Sequence, residues 1–255
     1  MRDILFQIGP IKIYSYGFFI AVGIMASYAL LMQEARRKKV NTQVLSNIFF
    51  WSIIWAFLGA HLSFVILNAG YFVEHPLEIF NLRSGFIFLG GFVSGVIASY
   101  VMIKKEKLDY FDVMDMVSPG LALAYAFGRI GCYMHGCCYG IVSTCLLAVQ
   151  FPPDSPAGDV PYPRLPIQLL SSIVSIGIFS VLTVIRKHKH FKGQIFISYI
   201  ILYSFTRFLI EFLRGEHYRQ IGILDIGQWF YLALGIVSTA VYLLVKNRAY
   251  VPVKK

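Results

Sequence analysis

Apolar runs of about 20 residues recur along this chain, at about 14–32, 48–67, 86–103, 166–185, 193–213 and 223–245, with a fourth stretch that Asp109, Asp112 and Asp115 lead into and that runs to about 127, all parted by short polar turns. A helix of that length, rising about 1.5 Å per residue, spans the roughly 30 Å hydrocarbon core of a bilayer. Of 255 residues, 57% are apolar and only 14% charged, where a soluble domain carries about 25% charged residues. The mean hydropathy of +0.66 agrees. The expected fold is an all-α polytopic membrane protein with about seven transmembrane helices in a single transmembrane domain over 1–255. Residues 1–13, with Gly9-Pro10, read as a short surface segment or a shallow interfacial helix. They lack the basic start, apolar run and small-residue site of a cleavable signal peptide, so insertion would use the first span.

Positive charge sets the orientation. Lys and Arg gather at 36–39, 104–107 and 186–192 and in the tail (Lys246, Arg248, Lys254, Lys255). These are alternate connections, which an odd number of spans starting outside would give. Seven spans follow, N-terminus out and C-terminus in. Of the 23 basic residues behind the net charge of +10, 15 lie in these turns and the tail, and no basic face interleaved with aromatics forms, which argues against nucleic acid as a partner.

One segment resists the apolar pattern. Residues 125–140, Tyr-Ala-Phe-Gly-Arg-Ile-Gly-Cys-Tyr-Met-His-Gly-Cys-Cys-Tyr-Gly, carry Arg129, His135, four glycines and three of the four cysteines. Such a segment is tolerated at membrane depth only when buried in protein or lining a wet cavity. It opens an interruption at about 129–164, expected as an outer-face loop segment, whose later part is rich in proline. The orientation puts Arg129, Arg164, Arg207, Glu211 and Arg214 together on the outer side. Arg207 and Glu211, four apart on one helical face, would pair. Arg129 has no acid within four residues, and an anion such as a lipid phosphate suits its guanidinium fork.

Other polar groups have plainer readings. Tyr16 is an interfacial residue or a hydroxyl turned into the cavity. His61 makes a helix-to-helix bond or belongs to the site. Asp115 needs a partner and reads as a packing anchor, and Pro119 should kink its helix. The glycines at 85–95 let helices approach closely. Cys132, His135, Cys137 and Cys138 offer soft ligands, but two are adjacent and no second Cys-x-x-Cys exists, so neither metal nor cofactor is expected. A Cys–His nucleophile is the chemical alternative to small packing residues, with a disulfide among these cysteines and Cys145 also open.

Tyr125–Gly140, above all Gly128-Arg129-Ile130-Gly131 with Gly136 and Gly140, resembles the signature of bacterial prolipoprotein diacylglyceryl transferases. Tyr16-Gly17, Gly90-Gly91, Arg164-Leu-Pro-Ile-Gln168 and Arg207-Phe-Leu-Ile-Glu-Phe-Leu-Arg214 match further family motifs in order. The resemblance implies a seven-span, multi-pass protein of the bacterial inner membrane, acting in lipoprotein biosynthesis as a monomer. It implies transfer of the diacylglyceryl group of phosphatidylglycerol to the lipobox cysteine thiol of a prolipoprotein. By that resemblance Arg129, Arg207, Glu211 and Tyr16 are catalytic, and His135 joins them by its location alone. Arg129, Arg164, Arg214, Gly90, Gly91, Gly131, Gly136, Gly140, Cys132 and Cys137 then bind substrate. The chain departs from the family at Leu89, where His is usual, at Cys132 and His135, where Asn is usual, and at Cys137, where Glu is usual. Arg is more usual than His61. His135 or His61 would then replace the base. The alternatives are a lipid-modifying enzyme of the same fold with another donor or acceptor, working through Cys137 or Cys138, or a non-catalytic lipid-binding or transport protein.

Overall fold

The computed structural model describes residues 4–9, 11–81, 85–215, 220–221 and 223–250. Arg83, Ser84, Lys254, Lys255 and much of the polar segment 214–222 lie outside them. The chain opens on two strands, β1 (Ile4–Ile8) and β2 (Ile11–Tyr14), paired antiparallel with an irregularity between Ile4 and Phe6. This corrects the expected interfacial helix, while the exposed Phe6, Gln7, Lys12 and Tyr14 fit the alternative of a short surface segment. Ile-Lys-Ile-Tyr alternates with the period of two that suits a strand, and its β-branched residues favour extended backbone.

Eight α-helices follow among the described residues: α1 (Ser15–Arg37), α2 (Thr42–Leu67), α3 (Ala69–Glu74), α4 (Phe88–Lys105), α5 (Tyr110–His135), α6 (Ile167–Lys187), α7 (Gln194–Glu211) and α8 (Ile226–Tyr250). A short hairpin of β3 (Gln220–Ile221) and β4 (Leu224–Asp225) precedes α8. Six of these helices (α1, α2, α4, α6, α7 and α8) are long and apolar enough to cross a membrane. The protein is therefore an all-α, multi-spanning membrane protein. The remaining long helix, α5, has the length to span, but Asp112, Asp115 and Arg129 lie within it.

Helix α5 also differs from the expectation at its far end. The apolar stretch should stop near Phe127, yet the helix continues through Arg129 and Cys132 to His135. The interruption expected at 129 begins at Gly136. Gly128 and Gly131 are tolerated within the helix, at about 1 kcal/mol each relative to alanine. Termination comes from Gly136, whose φ of +79° is the left-handed conformation that ends helices. Pro119 lies inside the continuous helix.

The chain divides into two compact units, Met1–Leu31 with Met114–Lys255, and Met32–Val113. In the second, α2 and α4 pack at small residues. A Cβ on Gly91 would lie 2.8 Å from the Ala56 carbonyl oxygen, and one on Gly95 would lie 3.0 Å from Ala56 Cβ. His61, on α2, sets Nε2 2.7 Å from the Ile79 carbonyl and Nδ1 3.2 Å from that of Gly85. It fastens the connection after α2, where a helix-to-helix bond or a site role was expected. Both ring nitrogens face carbonyl acceptors, and the single N–H of a neutral imidazole can serve one of them.

In the first unit α1 lies against α5, with Gly23 meeting the backbone of Ala124 and Gly120 meeting Ser27. Ala122, Ile178, Leu182 and Ile195 form a core between α5, α6 and α7. Fully buried Asp115 joins these elements. Its carboxylate accepts from the backbone N–H of Gly193 (2.9 Å) and Phe196 (2.8 Å) and pairs with Lys189 Nζ at 2.8 Å. A side chain from α5 thus satisfies the orphan donors at the start of α7 and complements its dipole, as the reading of a packing anchor expected. Asp115→Ala should lower stability by at least about 2 kcal/mol, the loss of a cap plus charge-assisted bonds. Thermal unfolding in detergent measures this, and Asp115→Asn, which keeps one acceptor, should lose less.

Candidate active site

Helix α5 presents its last two turns toward the start of α1 and the end of α7. Arg129 Nε donates to the Tyr125 hydroxyl at 2.8 Å, one helical turn back, and the guanidinium lies 4.8 Å from the Tyr125 ring centre. That is the arginine's one hydrogen bond among the described residues, and it leaves both terminal nitrogens available. Tyr125 meets Tyr203 edge-on at 5.4 Å, and Tyr203 meets Tyr231 at 6.1 Å. Arg207 lies over Tyr231 at 5.3 Å. A line of three tyrosines therefore runs between the two arginines, whose charges are close enough to repel. The sequence reading missed Tyr203 and Tyr231; Tyr125 alone had a signal, its place four residues before Arg129.

Glu211 holds the second cationic group. Arg207 Nη2 donates to one carboxylate oxygen at 2.9 Å and Arg214 Nη1 to the other at 3.0 Å. All three side chains are largely withdrawn from solvent. The expected Arg207–Glu211 pair is present, and Arg214 completes it as a second partner. One carboxylate thus holds both guanidiniums, one on each oxygen. Arg207 Nε is buried and has no acceptor among the described residues.

The segment after α5 returns the chain to this group. Gly140 pairs with Arg214 across an antiparallel bridge, its N–H bonds the Leu165 carbonyl at 3.0 Å, and the N–H of Gly215 bonds the Tyr139 carbonyl at 3.0 Å. A Cβ on Gly140 would lie 2.6 Å from the Leu165 oxygen and 2.8 Å from Ile167 Cγ2. Gly140→Ala should therefore destabilise by about 1–3 kcal/mol through overpacking. Gly128→Ala, which meets open space inside a helix, should be neutral or stabilising. Equal unfolding temperatures for the two variants would contradict this.

Arg164 has partners of its own, although its buried Nε has no acceptor among the described residues. It pairs with Asp159 at 2.6 Å and stacks over Tyr139 at 4.1 Å, buried and pinned by backbone bridges to Val142 and Val149. Gln168, wholly buried, donates to the Cys137 carbonyl at 2.8 Å and fixes the turn. Its part in holding the site was missed, although it closes a motif read from the sequence.

Cys132, Cys137 and Cys138 come together. Their sulfurs all lie within 4.8 Å of one another, and all four cysteines are free. Consecutive side chains normally diverge. Here Gly136 and Cys138 both adopt left-handed backbone, with φ of +79° and +56°, and the turn folds both thiols back toward Cys132. For a residue with a Cβ that conformation costs about 1–2 kcal/mol. Hydrogen bonds with Cys132 and Cys137, aided by the guanidiniums of Arg129 and Arg214, draw the Cys138 thiol well below its usual range against the opposing effect of burial. The thiol bonds that lower Cys138 raise Cys137.

Tyr16, at the start of α1, packs on Gly131, where a Cβ would lie 3.3 Å from Tyr16 Cα. Its phenol is within electrostatic reach of Arg129 and the three thiols, and its ring centre is 6.4 Å from that of His135. Of the residues singled out from sequence, Tyr16, Arg129, Gly131, Cys132, His135, Gly136, Cys137, Gly140, Arg164, Arg207, Glu211 and Arg214 all belong to the first unit. Gly90 and Gly91 belong to the second, where they serve helix packing: a Cβ on Gly90 would strike Ser63 of α2. Leu89 is largely exposed.

A multi-spanning membrane protein with a buried arginine–glutamate network beside a tyrosine, a histidine and three thiols is the class that fold and site define. The match to known proteins is more specific. The model of the family described as "Prolipoprotein diacylglyceryl transferase" covers residues 3–245, and the chain belongs to that family. It is 35% identical over 247 residues to "Phosphatidylglycerol--prolipoprotein diacylglyceryl transferase 2" of Clostridium perfringens, covering 95% of this chain and 94% of that one. It is 32% identical over 242 residues to the enzyme of Clostridium tetani, named "Phosphatidylglycerol--prolipoprotein diacylglyceryl transferase" (95% and 97%). A relative of that name from Staphylococcus saprophyticus is 32% identical over 244 residues (93% and 87%).

Proposed function

We propose that the protein transfers the diacylglyceryl group of phosphatidylglycerol to the lipobox cysteine thiol of prolipoproteins. In this reading it has seven spans, α5 included, with its N-terminus outside, its C-terminus inside, and the site in the outer half of the bacterial inner membrane. The observation that carries the reading is the near full-length match to relatives whose names state this reaction. The arginine group supports it. Arg129 offers two unengaged terminal nitrogens, and Arg207 Nε is a buried donor with no acceptor among the described residues, a costly state that a phosphate oxygen would relieve.

The residues divide the work as follows. Arg129 and Arg207 grip the headgroup phosphate and stabilise the charge that grows on it as the carbon–oxygen bond to the diacylglyceryl group breaks. Glu211 holds Arg207 and Arg214 in register. Tyr16 donates to a lipid or phosphate oxygen, and His135 receives a proton. The leaving group is glycerol-1-phosphate.

The test is incubation of the purified protein with phosphatidylglycerol and a lipobox peptide, followed by the mass of the peptide. The expected result is a gain of one diacylglyceryl group. An unmodified peptide alongside a folded, phosphatidylglycerol-binding protein would overturn the proposal. Transfer assays on His135→Ala then test the base, and full activity would remove it from that role.

A further inference from the structure

The three thiols are a larger investment than packing explains. Two left-handed residues turn Cys137 and Cys138 back onto Cys132. The turn is then locked on every side. The N–H groups of Gly136 and Cys137 bond the Cys132 carbonyl at 2.9 and 3.1 Å, and Gln168 holds the Cys137 carbonyl. Three sulfurs within 4.8 Å are close to the separation of about 3.8 Å that tetrahedral zinc requires at a zinc–sulfur distance of about 2.3 Å. Sequence spacing argues against a metal here because two of the cysteines are adjacent and no second Cys-x-x-Cys exists; the positive φ of Cys138 answers the first point by turning both thiols to one side.

We propose that Cys132, Cys137 and Cys138 form a three-thiolate site for a thiophilic divalent ion of the zinc class, with the fourth position kept for the acceptor thiol. Soft sulfur ligands select such ions, and three protein ligands with an open position mark a reactive rather than a structural site. Zinc with three thiolates carries a net charge of −1, and Arg129 and Arg214 lie close enough to interact with the cluster and balance it. The role of the fourth position rests on the transferase reading; the metal site itself does not. Coordination would acidify the acceptor thiol, whose proton passes to His135, the base of the transferase reading. The acceptor sulfur then forms its bond to the glycerol carbon as that carbon's bond to the phosphate oxygen breaks. Glycerol-1-phosphate departs with the electron pair beside Arg129 and Arg207, and the thioether, a weaker ligand, leaves the metal.

The test uses the full chain in detergent, with Cys145→Ser removing the exposed thiol, reduced with a phosphine and stripped by chelator. Titration with Co(II) is expected to load one ion per chain and to give thiolate-to-cobalt charge-transfer absorption, and Cys132→Ser or Cys138→Ser should abolish it. A folded parent protein that takes up no stoichiometric cobalt, or uptake indifferent to both substitutions, would overturn the site. Adding a lipobox peptide should strengthen the charge-transfer band, whereas the same peptide with serine for its cysteine should not. An identical response to both peptides would overturn the acceptor's place on the metal. Transfer at full rate by metal-stripped protein would overturn the metal's part in the reaction and leave the transferase reading standing. Cobalt–thiolate bands without any transfer from phosphatidylglycerol would do the reverse.

Discussion

Arg129→Ala is expected to lower kcat/KM for diacylglyceryl transfer by about 10²–10³-fold, the usual consequence of removing one preorganised donor from a developing anion. The side chain stands on a rigid helix with its Nε bonded to Tyr125, so its terminal nitrogens are aimed before substrate arrives. Arg129→Lys should recover only part of the loss, because an ammonium keeps the charge but not the planar fork. Tyr125→Phe should cost less than either, since it removes the hydroxyl but leaves the ring under the guanidinium. Wild-type transfer by Arg129→Ala would mean that the phosphate is held elsewhere.

Loss of Glu211 should act first on stability. The carboxylate is the shared partner of Arg207 and Arg214, and its removal leaves two guanidiniums facing each other in a site with little water. Breaking a buried pair on one side costs about 3–5 kcal/mol, so Glu211→Ala should show a large fall in unfolding temperature in detergent. Glu211→Gln, which can still accept from one arginine, should fall in between. The double variant Arg207→Ala with Glu211→Ala should be more stable than Glu211→Ala alone, because one uncompensated charge goes with its partner. Equal stability of the single and double variants would show that the network carries no such coupling.

The membrane class was legible in the sequence because it rests on composition and on runs of about 20 residues, both of which a bilayer enforces one helix at a time. The Arg207–Glu211 pair was legible for a similar reason: four residues on a helix is a fixed distance. Where the reading went astray, local signals competed. Gly128, Arg129 and Gly131 look like the end of a helix, but α5 runs on to His135 because Gly131 is used for close approach to Tyr16 and Gly136 supplies the stop. The first residues read as a surface segment or a shallow interfacial helix, yet their alternation closes a hairpin.

From the sequence alone came the membrane class, the Arg207–Glu211 pair and the family. The placement of groups far apart in the chain was left to the tertiary structure. It set Asp115 on the start of α7, 78 residues away, linked Arg129 to Arg207 through three tyrosines, and gathered Cys132, Cys137 and Cys138 into one cluster. The physical reason is that periodicity fixes which face of a helix a residue occupies, whereas its partner depends on packing and on backbone angles such as the positive φ of Cys138. Spacing along the chain does not encode them.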